Sequence, residues 1–234
     1  MVAAGDWLCK SAPGVSRRSN SANPAGAHAQ LTEDGIERIE AVYAKFGQPT
    51  YVRLPSLMGE APDRRLEERG YTAEGHAATL IGPLQVEPPA GEVELSAIPS
   101  PEWLAALNRI NGREGETAWV FDAVLAELDA PAAFAGVRRE GRIVSAGYAA
   151  ASDGWLCLEA IATDPDWRGR GLAEEMVRSL MMWGASQGAR AVGLQTQVDN
   201  ASAQALYRRL GIGRELYRYH YRKAPQPMTE SGAA

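Results

Sequence analysis

Apolar and polar positions alternate along this chain in two rhythms, one of period two and one of period near 3.6. In the second half, Leu172, Met176 and Leu180 recur every four residues, joined by Ala173, Val177 and Gly184. That spacing predicts a helix over Gly171–Gln187, the strongest such signal in the chain. Around it, Trp155–Thr163 and Ala191–Val198 read as strands. Ala132–Val137 and Ile143–Ala151 read as two strands about the turn Arg139-Glu140-Gly141-Arg142. Glu92–Ile98 and Leu216–Tyr221 are further strands, and Pro101–Ile110 and Thr117–Leu128 have helical spacing. Asn200–Leu210 reads as a short helix, with Asp199 or Asn200 as its N-cap and Gly211 just past its end. In the first half, Ile36, Ile39, Tyr43 and Phe46 fall on one side of a helix over Thr32–Phe46. A shorter helix is predicted over Pro62–Arg69, ending at Gly70-Tyr71. Trp7–Lys10, Thr50–Leu54 and Ala77–Ile81 read as strands.

Pro83, Pro88, Pro89 and Gly91 interrupt both rhythms, so 83–91 is expected to be a linker between parts 1–82 and 92–223. The segment 224–234 is small, polar and Pro-containing, and a flexible tail is expected there. The two parts echo each other. Trp7-Leu8-Cys9 matches Trp155-Leu156-Cys157, and Leu66–Tyr71 matches Leu206–Ile212. An internal pseudo-repeat is expected, with the first part a decayed or truncated copy.

Composition narrows the function classes. The chain has 234 residues, 45% hydrophobic and 23% charged, with a formal net charge of −5. This is ordinary for a globular protein and argues against disorder or a coiled coil. No uninterrupted apolar run is long enough for a membrane span, and residues 1–10 lack a secretory pattern. Two cysteines, Cys9 and Cys157, are too few for a disulfide framework, so a cytoplasmic protein with reduced thiols is expected. An acidic chain is not a general nucleic-acid binder. One local basic site would instead suit a small anionic ligand. His28, His76 and His220 have no metal-ligand spacing, and no metal is expected.

The basic site is Ile161-Ala-Thr-Asp-Pro-Asp-Trp-Arg168-Gly169-Arg170-Gly171-Leu172-Ala173. A strand ends at Asp164-Pro165, a loop with two glycines and two arginines follows, and the longest helix begins. The glycines allow positive φ and close backbone approach. Unpaired amides at the helix start favour a phosphate, and Arg168 and Arg170 add positive charge. A Walker-type loop is excluded by the absence of Gly-Lys-Ser/Thr. The dinucleotide fingerprint fails at Ala173 and Glu174.

Arg168-x-x-Gly171-x-Ala173 resembles the acyl-CoA signature of the GNAT superfamily of N-acetyltransferases. Asn200-Ala-Ser-Ala203-Gln-Ala-Leu206-Tyr207-Arg-Arg-Leu-Gly211-Ile212 resembles that superfamily's second motif, with Ile212 replacing the usual aromatic. The resemblance covers about residues 93–222. It implies an α/β (α+β) fold with a mixed, mostly antiparallel twisted sheet flanked by helices. It implies acetyl-CoA as acetyl donor. The main chain of Ile161, Ala162 and Thr163 would lie along the pantetheine arm. Arg168, Gly169, Arg170, Gly171, Leu172 and Ala173 would hold the pyrophosphate, Asn200 would touch the arm, and Tyr207 would sit beside the sulfur. The first part resembles a degenerate GNAT-like half, as in bacterial tandem GNAT proteins.

Transfer of acetyl to a primary amine needs a proton for the departing thiolate, and the Tyr207 phenol can donate it. Many relatives carry a base five residues before Asn200, but here that position is Gln195, which cannot take a proton. Glu159, in an otherwise apolar strand, is the candidate base. The acceptor is open among small molecules, amino acids and protein amines. Glu114, Glu116, Asp122 and Glu127 could attract a cation or simply face solvent. Arg17-Arg18-Ser19-Asn20-Ser21-Ala22-Asn23-Pro24 resembles a segment of some tandem GNAT proteins and reads as a structural turn or a border of the acceptor site. A monomer or homodimer is expected. The alternative to an enzyme is a non-catalytic acyl-CoA-binding module, which the missing base at Gln195 keeps open.

Overall fold

The structure is a computed structural model and describes residues 1–14, 16–26 and 28–225. The expected tail beyond 225 lies outside the described residues. The chain forms two compact units, Met1–Ala78 together with the chain from Tyr217, and Thr79–Leu216.

The first unit opens with β1 (Val2–Ala4), β2 (Trp7–Cys9) and β3 (Ala22–Pro24), paired antiparallel in that order. Helix α1 (Glu33–Lys45) leads to β4 (Tyr51–Pro55), which lies parallel to β3. A 3-10 turn, Ser56–Met58, and α2 (Ala61–Glu68) follow. Strands β5 (Thr72–Pro83) and β11 (Arg214–Lys223) each contribute residues to both units. In the first unit the strand order is β1-β2-β3-β4-β11-β5.

The predicted apolar stripe of α1 forms this unit's core. Ile36, Ile39 and Tyr43 are fully buried with Trp7, Val52 and Leu66. Each such side chain contributes about 1.5–3 kcal/mol by leaving water. The α2 residue Asp63 accepts from Arg222 Nε and bonds His220 Nε2, both at 2.7 Å. Asn20 staples the loop before β3. Its side chain accepts from Ala12 N and donates to the carbonyls of Gly14 and Ser16. The polar stretch around Arg17–Pro24 therefore contains a buried structural turn and a strand that its Ala-Asn-Pro composition hides.

β3 corrects the repeat as read from the sequence. Trp7-Leu8-Cys9 lies on β2, one strand earlier than the strand that feeds α1. Trp155-Leu156-Cys157 lies on the strand that feeds the long helix directly. The two tripeptides are not topologically equivalent.

In the second unit, β6 (Glu94–Ser96) precedes α3 (Pro101–Ile110) and α4 (Gly115–Ala126). Strands β7 (Ala132–Arg139), β8 (Arg142–Ser152) and β9 (Trp155–Thr163) form an antiparallel meander. Then come a 3-10 turn (Pro165–Trp167), α5 (Leu172–Ser186), β10 (Ala191–Gln197) and α6 (Ala201–Arg209). The strand order is β5-β10-β9-β8-β7-β6, with β10 parallel to β9. The result is the expected mixed, mostly antiparallel sheet flanked by helices.

Helix α5 packs on one face of this sheet. A Cβ at Gly184 would meet Leu156 at 2.7 Å, so only glycine allows that approach. Trp103 and Leu107 of α3 cover the other face, with Phe134, Ile143 and Ala146. The stretch read as a linker begins beyond the division between units. Leu84 N donates to Arg190 O, and Glu87 pairs with Arg178, so this stretch is bonded to the second unit. Among the described residues no helix is long and apolar enough to cross a membrane.

Candidate functional site

Strand β9 carries the irregularity on which the site is built. Its parallel pairing with β10 ends at Leu158↔Leu194 among the described residues. Its antiparallel pairing with β8 continues to Ser145↔Thr163. The edge of Glu159–Thr163 on the β10 side is thus open. A bulge accompanies the opening. Tyr148 faces Glu159 and Ala146 faces Ala162, and Ala160 is left at φ +55°. A non-glycine residue there costs about 1–3 kcal/mol and is held only by its surroundings.

The bulge reverses which face each side chain takes. Before it, Leu156 meets α5 at Gly184. After it, Ile161 meets Gly147 and α5, while Ala160 and Ala162 join the α3 side with Tyr148. Glu159, opposite Tyr148, shares that side. Gln195 follows the last paired residue of β10, so it also borders the opening.

The glycine loop begins where β9 ends. Asp164, 5% exposed, is its anchor. Arg109 Nη1 of α3 donates to its carboxylate at 2.6 Å, and Arg142 Nη1 lies 3.6 Å away. Asp166 N donates to the same side chain at 3.2 Å. Arg109 holds the Asp164 carboxyl below its usual range, assisted by the Asp166 amide and Arg142 and opposed by burial. Ser145 Oγ lies 2.9 Å from Thr163 Oγ1, tying down the strand end. Arg168 Nε donates to Thr163 O, and the Arg170 guanidinium lies over the Trp167 ring at 4.6 Å. Both arginines are exposed.

Gly171 is the N-cap of α5, at φ +80°, and has no side chain to close the helix start. Gly169 is at φ +74°. A Cβ on either glycine would project into open space. The first-turn acids do not leave a net negative mouth. Glu174 is paired with Arg178 and Arg209, and Glu175 with Arg139. Leu172 is buried and Ala173 half-buried. The loop therefore fits a diphosphate: bare helix amides, flexible-backbone glycines, and two exposed guanidiniums.

Asn200 caps α6, its Oδ1 accepting from Ala203 N at 3.1 Å. Tyr207 is 6% exposed on that helix. Burial pushes its phenol up to about 12, with the nearby Glu159 carboxylate adding to the effect. The two candidate catalytic side chains thus lie within electrostatic reach of each other. The sequence reading missed the Arg109–Asp164 anchor, the bulge at Ala160, and a polar cluster at Asn108 and Arg113. Asp164-Pro165 was the local trace of the anchor, since its partner is 55 residues away.

Comparison with known families matches residues 3–222 to the family described as "Probable histone acetyltransferase Rv0428c C-terminal". The curated "Uncharacterized N-acetyltransferase YobR" of Bacillus subtilis (strain 168) is 20% identical over 225 residues, covering 93% of this chain and 90% of YobR. Two solved structures share the fold. The GCN5-related N-acetyltransferase from Kribbella flavida superposes with TM-score 0.64 at 20% identity, covering 89% of this chain and 82% of that one. The GCN5-related N-acetyltransferase from Sphaerobacter thermophilus gives TM-score 0.63 at 20% identity, covering 81% of this chain, which spans 64% of that protein's length. With a family match across both units and the fold in agreement, the chain belongs to the family of the Rv0428c C-terminal region and is a GNAT N-acetyltransferase.

Proposed function

We propose that this protein transfers the acetyl group of acetyl-CoA to a primary amine, and that the second unit carries out the reaction. One observation carries the reading. The open edge of β9 runs from Glu159, which acts electrostatically on the buried Tyr207, to the loop before the bare N-terminus of α5.

Acetyl-CoA supplies, when bound, an activated thioester carbonyl. The main chain of Ile161, Ala162 and Thr163 offers the pantetheine arm a strand to pair with. The amides of that edge also favour negative charge developing on the carbonyl oxygen. Arg168, Gly169, Arg170, Gly171, Leu172 and Ala173 hold the diphosphate. Asn200 orients the arm through its remaining amide donor. Tyr207, kept protonated by burial, gives its proton to the leaving sulfur. Glu159 accepts the proton of the acceptor ammonium, directly or through water. Gln195 at the usual base position can orient but cannot deprotonate.

The first unit is read as a GNAT-like half that keeps the framework without the cradle. Its sequence β3-α1-β4-α2-β5 has the connectivity of β9-α5-β10-α6-β11, including the parallel pair around the first helix.

The test couples binding to turnover. Acetyl-CoA is expected to raise the melting temperature by mass action, and thiol release is expected with at least one member of a panel of primary amines. A shift without thiol release from any amine, unchanged in Tyr207→Phe, would instead support a non-catalytic acyl-CoA-binding module.

A further inference from the structure

The first unit has a sheet face that neither of its helices covers. The buried residues of α1 and α2 share a core with Val52 and Leu54 of β4. Asp63 of α2 holds His220 and Arg222 of β11 on that same side. Neighbours along a strand point to opposite faces, and residues paired across two strands share a face. The β4–β11 pairing sets Tyr51 opposite Lys223, Arg53 opposite Tyr221 and Pro55 opposite Tyr219. Those residues therefore lie on the other face. The aromatic cluster there includes Tyr217 and Ala77 and contains no residue of α1 or α2.

On this face tyrosine rings form a floor and guanidiniums lie on top of it. Tyr219 and Tyr221 are each 5% exposed, with ring centroids 5.7 Å apart. The Arg53 guanidinium lies 3.8 Å from the Tyr219 centroid, and that of Arg17 lies 5.6 Å from the Tyr221 centroid. Gly75 of β5 makes room for Arg17. A Cβ there would stand 3.1 Å from both the Arg17 guanidinium carbon and the Tyr221 ring. Lys223 Nζ lies 5.9 Å from the Tyr51 centroid. Glu74 pairs with Arg17 at 2.6 Å, but Arg53 and Lys223 pair with no carboxylate among the described residues. Nε and Nη2 of Arg53 are shielded without an acceptor, and Nη1 is not among the shielded nitrogens. Burial and Tyr219 raise the Tyr221 pKa, against the pull of Arg53, Arg18 and Arg17. A half-buried cation without a counter-charge is costly. A guanidinium stacked on a ring keeps its N–H edge for a carboxylate.

The chain has a net charge of −5, so this positive excess is local. Arg53 and Lys223 stand diagonally across the β4–β11 pair, a spacing of about 7–8 Å between Cα atoms, and Arg17 stands on the β5 side of Tyr221. Separated cations with rings between them complement a chain with separated carboxylates and apolar groups, more than one small anion. Tyrosine and arginine are also the residue types that carry most energy at protein interfaces. We propose that this face is a docking site for an acidic segment of a partner protein. Its carboxylates accept from Arg17, Arg53 and Lys223, and its apolar atoms lie on Tyr51 and Tyr217, all five of them half-buried. The inference concerns the unit that lacks the cradle and stands independently of the acetyl-transfer reading.

The experiment measures, by fluorescence anisotropy at low salt, the binding of two labelled peptides to the full chain. One alternates glutamate with leucine, and the other alternates glutamine with leucine. The wild type is expected to bind the glutamate peptide about tenfold or more tighter, against the net charge of the chain, with a margin that shrinks as salt is raised. Arg53→Met is expected to bring the two peptides within about twofold of each other, and Arg53→Lys to keep an intermediate margin. Lys223→Met is expected to weaken the glutamate peptide about threefold. Circular dichroism shows whether each variant is folded, and Lys223→Met decides if Arg53→Met is not. Equal binding of the two peptides by the wild type would overturn the inference, and so would an unchanged margin in folded Arg53→Met. Free glutarate that binds as tightly as the glutamate peptide and displaces it would also overturn it, making the face a site for a small dicarboxylate instead.

Discussion

The two units close their short helices with the same backbone and fill the key position differently. After α2, Gly70 N bonds Glu67 O and Tyr71 N bonds Leu66 O. After α6, Gly211 N bonds Arg208 O and Ile212 N bonds Tyr207 O. Gly70 stands at φ +78° and Gly211 at +79°. In this register Leu66 takes the place of Tyr207, and both are buried. The long helices differ in the same sense. Thr32 caps α1, its hydroxyl accepting from Gly35 N, and Glu33 pairs with Arg65 and Arg69. Gly171 leaves the start of α5 bare. One helix N-terminus is satisfied from within and the other is available to an outside anion. The framework therefore comes from apolar positions and turn glycines, which both units have. The residues proposed to carry the chemistry are a few that only the second unit supplies.

Changes at the equivalent positions sharpen that contrast. The largest effect is expected from Tyr207→Phe, with kcat reduced about 100-fold and little change in acetyl-CoA affinity, read by steady-state kinetics. The reciprocal change, Leu66→Tyr, adds no activity. It costs about 2 kcal/mol by overpacking a closed core and burying a hydroxyl, measured by urea unfolding. Arg109→Met frees the loop anchor and is expected to weaken acetyl-CoA binding about tenfold, or about 1.4 kcal/mol, by calorimetry. The same pair makes a pH prediction. The Asp164 carboxyl is held low in the folded protein. Its contribution to stability is in place above the unfolded value of about 3.9 and is lost as pH falls through the lower folded value. An Asp164→Asn variant should therefore show a shallower loss of stability at acid pH in urea titrations. The smallest effect is Thr32→Ala, costing about 1 kcal/mol of stability with unchanged turnover.

Much of this was legible in the residues because the signals are local. The four-residue spacing of Leu172, Met176 and Leu180 placed α5 to within a residue or two, and the glycines marked its start. Asn200 was named as a cap candidate and is the cap. Strand β3 was missed because Ala-Asn-Pro has no strand character; its neighbours β2 and β4 impose it. The bulge at Ala160 has no compositional mark, since the strain belongs to the pairing on either side and not to alanine. The Arg109–Asp164 anchor and the Arg113–Asn108–Asp122 cluster depend on how α3 and α4 meet the sheet. No short stretch of sequence encodes that meeting.

In the proposed reaction the bare start of α5 grips the acetyl-CoA diphosphate and the capped start of α1 does not. Calorimetric titration of coenzyme A into the wild type, Gly171→Glu and Thr32→Gly tests it most directly. One molecule is expected to bind per chain in the wild type and in Thr32→Gly, with no measurable binding in Gly171→Glu, whose side chain would project a carboxylate into the cradle. Two molecules per chain, or undiminished binding in Gly171→Glu, would contradict it.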